Sequence, residues 1–144
     1  MPLRLAGRFV GCRLIFSDAS QKRHGGLAVV MFDDPESAPL VATRRVALAG
    51  SNELELLAAI FGLEQAHRHF PGQPVALFSD NQDAIVRLGR AKAQGLAQDP
   101  ALARMLMDLE IASVLDQASV CWVQGHGGCR GNTLADLHAR EAAG

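Results

Sequence analysis

The chain has 144 residues, a formal net charge of −1, and a composition that is 49% hydrophobic and 20% charged. This length and balance predict one globular domain over residues 1–144 and exclude a disordered chain. The near-neutral charge excludes a uniformly basic surface for nucleic acid, so any basic patch must be local.

Compartment is indicated by the cysteines and by the missing targeting signals. Cys12, Cys121 and Cys129 form an odd set without zinc-site spacing, which predicts reduced thiols in a cytoplasmic protein. The first residues lack the continuous apolar segment of a signal peptide. No apolar run approaches the roughly 18 residues of a membrane span.

The first part of the chain is predicted to form three strands joined by short turns. An apolar segment over 9–16 ends just before Asp18, and Gly25-Gly26 open a second apolar segment that ends at Phe32. After a turn rich in Asp, Pro and Ser, a third strand is predicted over 40–48. Three consecutive strands with short connections indicate an antiparallel meander.

After residue 50 the apolar residues recur at helical spacing. The predicted elements that follow are a long buried helix over 52–69, a strand over 74–79, helices over 81–92 and 101–115, a strand over 120–123 and a helix over 133–143. The order is βββαβααβα. Helices between the later strands imply parallel crossovers beside an antiparallel edge. The predicted fold class is therefore α/β, with a five-stranded mixed sheet flanked by helices.

Acidic residues occur where these elements meet one sheet edge. Asp18 follows the first strand and Asp80 the fourth; because these strands are predicted to be parallel, both lie at the same edge. Glu55 lies in the first turn of the long helix, Asp136 near the start of the last helix, and His126 in the loop before it. Such a hard-oxygen set suits Mg²⁺ or Mn²⁺. Two ions about 3.5–4 Å apart would serve phosphodiester hydrolysis.

Each of these residues also suits a purely structural role. Asp18 is typical of a turn after a strand. Residues 52–55 fit a capping box, and Asp80 fits the N-cap of the next helix. Asp136 suits a solvent-facing helical position, and His126 suits a polar loop. The convergence of all five on one edge favours the metal site.

Four segments of the chain resemble the type 1 ribonuclease H family. They are Phe16-Ser17-Asp18-Ala19-Ser20, Ser51 to Ala59, Ser79-Asp80-Asn81-Gln82, and Trp122 to Gly128 with Asn132 to Asp136. In the same order, they are similar to the family's T-D-G-S, N-N-x-M-E-L-x-A, S-D-S-Q, and W-V-K-G-H-x-G with N-x-x-x-D segments. The likeness runs from about Leu14 to Ala143 and implies a ribonuclease-H-like fold.

The resemblance implies an activity and a set of site residues. The family cuts the RNA strand of RNA–DNA hybrids and leaves 3′-hydroxyl and 5′-phosphate ends. Two Mg²⁺ ions, or Mn²⁺ in their place, would be held by Asp18, Glu55, Asp80 and Asp136. His126 would be a mobile proton-transfer group that assists product departure. The hybrid's minor groove, with its 2′-hydroxyls, would be contacted by Ser20, Ser51, Asn52 and Gln82. We expect a monomer that binds a hybrid duplex and no membrane.

Departures from the family pattern reduce positive charge near the substrate. Glu53 stands where the family often has Arg, and Gln124 where it often has Lys. The basic protrusion of many bacterial members is missing, since the corresponding segment offers only Arg90 and Lys92. These departures predict weaker hybrid affinity. They leave open a non-catalytic ribonuclease-H-fold module that binds nucleic acid or protein, and an enzyme acting on DNA or structured RNA.

Overall fold

Five strands of the computed structural model form one sheet, and helices cover both of its faces. The structure describes residues 9–34, 36–108, 111–125 and 129–144. The strands are β1 Arg13–Gln21, β2 Gly25–Phe32, β3 Leu40–Val46, β4 Val75–Ser79 and β5 Ser119–Trp122. The helices are α1 Ser51–His69, α2 Gln82–Gln94, α3 Pro100–Asp108, α4 Ala112–Gln117 and α5 Arg130–Ala143.

The spatial order of the strands is β3-β2-β1-β4-β5. β1 pairs antiparallel with β2, and β2 with β3, whereas β4 is parallel to both β1 and β5. The predicted mixed sheet, with an antiparallel meander followed by parallel strands, is therefore confirmed.

Two hydrophobic cores lie on opposite faces of this sheet, and alternate residues of β1, β2 and β4 point into them. Ile15 and Leu77 pack with the apolar side chains of α1 to α4. Phe16 and Phe78 lie in the other core, with Ala135 of α5, and their rings stack with centroids 4.9 Å apart. β2 is buried along its whole length, which explains why its sequence is continuously apolar rather than alternating.

The long helix α1 is buried over more than half of its length and lies close to the sheet. At Gly62 a Cβ atom would lie 2.9 Å from Cδ1 of Leu77. A larger residue here would require the Leu77 side chain to move, so the middle of α1 packs tightly on β4.

Two elements differ from the sequence-based prediction. β1 continues past Asp18 to Gln21, because the β1–β2 hairpin stays in register to the Gln21–Gly25 pair. The segment predicted as one helix over 101–115 contains two, α3 and α4. Before α4 the amide of Ile111 donates to the Leu106 carbonyl at 3.2 Å, a spacing of five residues that breaks the regular α-helical pattern.

Within the described ranges, no helix has both the length and the apolar character to cross a membrane.

Candidate metal centre

The parallel register of β1 and β4 brings Asp18 and Asp80 to the same height of the sheet. Phe16 pairs with Phe78, and each aspartate follows two residues later along its chain. Side chains two residues apart in a strand point to the same face. Asp18 is only 4% exposed and Asp80 is half-buried. Asp18 is therefore a buried strand residue, and its interpretation as a turn former is wrong.

Glu55 reaches this edge from the first turns of α1, and its contacts contradict the capping-box alternative. The helix begins at Ser51 with Gly50 as its N-cap, and no side chain caps it. Glu55 Oε1 instead accepts a hydrogen bond from the main-chain amide of Ala19 at 3.0 Å. A bond across 36 residues of sequence ties the helix to the strand that carries Asp18.

The N-cap of α2 is Asn81, so the N-cap alternative for Asp80 is also wrong. Asn81 Oδ1 accepts from the amide of Ala84 at 2.8 Å, and Asn81 Nδ2 donates to Asn52 Oδ1 at 3.0 Å. Asn81 thus connects the starts of α1 and α2. The Asp80 side chain is left to face the acidic cluster.

Carboxylate oxygens of Asp18, Glu55 and Asp80 lie within 4.8 Å of one another. Burial raises the pKa of Asp18 to about 7. Burial, followed by the charge of Asp18, raises the pKa of Glu55 to about 10. Among the described residues, no group hydrogen-bonds to the buried Glu55 Oε2. These carboxylates are clustered, and a nearby positive charge would stabilise their ionised forms. A hard divalent cation such as Mg²⁺ or Mn²⁺, which prefers oxygen ligands, fits such a site.

Asp136 lies outside this group of three but is electrostatically near it. Its carboxylate forms an ion pair with Arg140 on the next turn of α5, with 2.7 Å between Oδ2 and Nη2. After burial, the charges of Asp80 and Asp136 both add to the raised pKa of Asp18. The structure therefore brings three of the four predicted carboxylates together and leaves the fourth beside them, paired with a cation.

Three residues around Asp80 were given no role by the sequence. Asn132 is 4% exposed, and its Nδ2 donates to Asp80 Oδ2 at 3.4 Å. A Cβ atom on Gly125 would lie 3.2 Å from the same oxygen, so the main chain passes directly beside the carboxylate. The Trp122 indole donates to the Asp80 main-chain oxygen at 3.0 Å. The sequence could have indicated Asn132, because this residue lies four positions, about one helical turn, before the predicted ligand Asp136.

The predicted substrate-contacting residues surround the cluster. Ser20 and Ser51 line a cleft of about 240 Å³ whose wall includes Glu55. Asn52 and Gln82 are exposed in the first turns of α1 and α2. His126 lies outside the described residues.

Residues 12–144 match the family model described as RNase H. The chain belongs to the RNase H family. Its fold is ribonuclease-H-like, as the order of elements and the mixed sheet predicted.

Solved structures show the same fold at low sequence identity. RNase H1 from the halophilic archaeon Halobacterium salinarum NRC-1 is 21% identical with a TM-score of 0.67, covering 92% of this chain and 97% of that one. The N-terminal RNase H domain of a Mycobacterium tuberculosis protein, solved as a fusion with maltose-binding protein, is 20% identical with a TM-score of 0.71, covering 91% and 92%. The prototype foamy virus protease–reverse transcriptase is 18% identical with a TM-score of 0.69, covering 91% of this chain and 20% of that one. A search of curated proteins found no significant match.

Proposed function

We propose that this chain is a metal-dependent endoribonuclease that hydrolyses the RNA strand of RNA–DNA hybrids by a two-metal-ion mechanism, leaving 3′-hydroxyl and 5′-phosphate ends. The observation that carries the proposal is the convergence of the Asp18, Glu55 and Asp80 oxygens within 4.8 Å. Membership of the RNase H family supports the choice of an RNA–DNA hybrid as substrate.

The carboxylates have distinct positions and therefore distinct proposed roles. Asp18 and Asp80 hold divalent cations from the sheet, Glu55 from α1, and Asp136 from α5. Bound cations supply the positive charge that stabilises the attacking and leaving oxygens of phosphodiester hydrolysis. His126 transfers a proton as the product departs, and its neighbour Gly125 already lies beside Asp80.

The substrate is proposed to lie across the starts of α1 and α2. Ser20 and Ser51 would contact it in the cleft beside Glu55, and Asn52 and Gln82 would contact it from the exposed first turns. Short hydroxyl and amide side chains can hydrogen-bond the 2′-hydroxyls of a wide, shallow minor groove. These contacts would distinguish the RNA strand from DNA.

The test is cleavage of a hybrid with a labelled RNA strand in Mg²⁺ or Mn²⁺. We expect Asp80→Asn to lower cleavage by a factor on the order of a hundred or more, because it removes a charged ligand. Asp83→Asn is a matched control, since Asp83 is exposed in the first turn of α2. A wild-type protein that cuts no hybrid, or an Asp80→Asn variant that cuts as fast, would refute the nuclease. Hybrid, RNA duplex and DNA duplex compared as substrates identify the polymer.

A non-catalytic binding module is the second candidate, because the formal net charge of −1 leaves few free cations to hold a nucleic-acid substrate. Several arginines are occupied by internal ion pairs, among them Arg44 with Glu64 and Arg87 with Asp99. Calorimetric titration with Mn²⁺ separates the two candidates, because a binding module has no chemical need for divalent cations. Uptake of two ions per chain, lost in Asp80→Asn, supports the enzyme.

A further inference from the structure

Asp80 is the first residue after β4, at the point where two parallel strands end together. Ser79, the last residue of β4, pairs in register with Trp122, the last residue of β5. The indole Nε1 of Trp122 donates a hydrogen bond to the main-chain oxygen of Asp80 at 3.0 Å, across 42 residues of sequence. The hydrogen bond therefore continues the contact between the two strands by one residue.

The main chain on either side of Asp80 is fixed by other hydrogen bonds. The amide of Val123 donates to the Ser79 carbonyl at 3.0 Å. The amide of Asn81 donates to the Ser79 hydroxyl at 3.1 Å. The indole thus holds the Asp80 peptide itself. The orientation of this peptide sets the direction in which the Asp80 side chain leaves the backbone.

We propose that Trp122 is a positioning residue that orients the Asp80 main chain so that its carboxylate meets those of Asp18 and Glu55. The inference rests on the proposed function, because its consequence is expressed in cation binding and cleavage. Trp122 is 38% exposed at an edge strand, so its indole is not a core side chain. Loss of one hydrogen bond changes an equilibrium roughly twofold to tenfold. Misplacing a reacting group by about 1 Å lowers a rate up to about a hundredfold.

The decisive variant is Trp122→Phe, which keeps an aromatic ring and removes the N–H donor. We expect the calorimetric Mn²⁺ affinity to fall about three- to tenfold and kcat on a labelled hybrid to fall about tenfold. KM for the hybrid should stay within about twofold, because the indole is assigned to the main chain of Asp80 and not to the substrate. Leu40→Ala is the matched control, since Leu40 is a half-exposed apolar residue on the opposite edge strand, and should match wild type.

Trp122 is the only tryptophan in the chain, which allows two further measurements. Replacement with 5-fluorotryptophan keeps the N–H donor and should preserve both Mn²⁺ affinity and kcat. In the metal-free wild type, the single indole N–H signal should exchange with solvent at least about tenfold more slowly than that of free tryptophan. This exchange measurement needs neither activity nor a folded variant.

Three results would overturn the assignment: rapid indole exchange, unchanged Mn²⁺ affinity and kcat in Trp122→Phe, or a change confined to KM. The last result would make Trp122 a substrate contact. If Trp122→Phe weakens Mn²⁺ binding while the wild type cuts no hybrid, the positioning role stands and the proposed nuclease fails. The two inferences therefore fail separately.

Discussion

Asp18 and Glu55 are buried carboxylates whose ionised forms oppose folding. Burial removes a carboxylate from water and disfavours its ionised form, and the nearness of the two groups adds repulsion. Asp18 is 4% exposed and Glu55 is 8% exposed. A divalent cation between them would reverse both effects, so metal binding and stability are coupled at this pair.

The free energy of unfolding of the metal-free protein should fall as pH rises from about 4 to about 7. Burial raises the pKa of Asp18 from an ordinary 3.8 to about 7, so in this interval the folded state binds more protons than the unfolded state. The stabilising contribution of protonated Asp18 is complete below about pH 4 and lost above about pH 7. Glu55, whose pKa is raised to about 10 by burial and by Asp18, should extend the decline. Urea unfolding in EDTA across this pH range measures it.

One substitution should remove the pH dependence of stability that is assigned to Asp18. Asp18→Asn should flatten the pH profile between about 4 and 7 and raise stability at pH 8 by on the order of a few kcal/mol. Asp116→Asn, on an exposed residue of α4, should follow wild type. Mn²⁺ added at pH 8 should stabilise wild type more than Asp18→Asn. Wild-type stability that rises with pH between 5 and 7 in EDTA would contradict this account.

At the scale of elements, the position of α5 depends on a close approach between its last turns and β2. Gly26 lies in β2, and a Cβ atom there would collide with main-chain atoms of Ala139 and Ala143. Backbone atoms cannot rotate aside as a flexible side chain can. The helix that carries Asp136 and Asn132 is therefore set against the sheet by the absence of a side chain at residue 26.

Gly26→Ala should lower the free energy of unfolding by about 1–3 kcal/mol, because α5 must shift to admit the methyl group. Gly89→Ala is the matched control: it lies inside α2, and the structure shows open space around it. There the same substitution should raise stability by about 0.5–1 kcal/mol, since alanine favours a helix. Urea unfolding measures both. Equal effects at the two sites would contradict the claim that the close approach of α5 restricts position 26 to glycine.

Across the whole molecule, the distribution of cations sets how a nucleic acid can bind. α2 begins at the acidic edge, and its Arg87 donates two hydrogen bonds to Asp99 at 2.9 and 2.8 Å. Lys92 donates to the carbonyl of Ala118. Arg90 is exposed, and among the described residues its guanidinium is seen only to act at a distance, where its charge helps Arg87 lower the pKa of Asp99. Arg90 is therefore the cation of α2 that is available to a phosphate.

Arg90→Ala should reduce the magnitude of the slope of log affinity against log salt by about one, the effect of one lost phosphate contact. Arg13→Ala is the matched control, because Arg13 lies at the start of β1 and pairs with Asp33 at 2.7 Å. Its slope should equal that of wild type. Hybrid binding in Ca²⁺, measured by fluorescence anisotropy at several salt concentrations, gives both slopes. Identical slopes for Arg90→Ala and wild type would remove Arg90 from the nucleic-acid interface.

The sequence determined the fold class, the mixed sheet and the acidic residues at one edge. Apolar periodicity and the order of elements depend on local pattern, and a parallel pair of strands must bring its carboxyl ends together. Only the tertiary structure decided that Asp18 is buried inside a strand, that Gly50 and Asn81 cap the helices, and that Trp122 holds the main chain of Asp80. The burial of Asp18 and the Trp122–Asp80 hydrogen bond depend on residues far apart in sequence, which local composition does not specify. The caps are local, but neighbouring polar residues such as Asp80 and Asn81 suit an N-cap about equally, so the pattern did not choose between them.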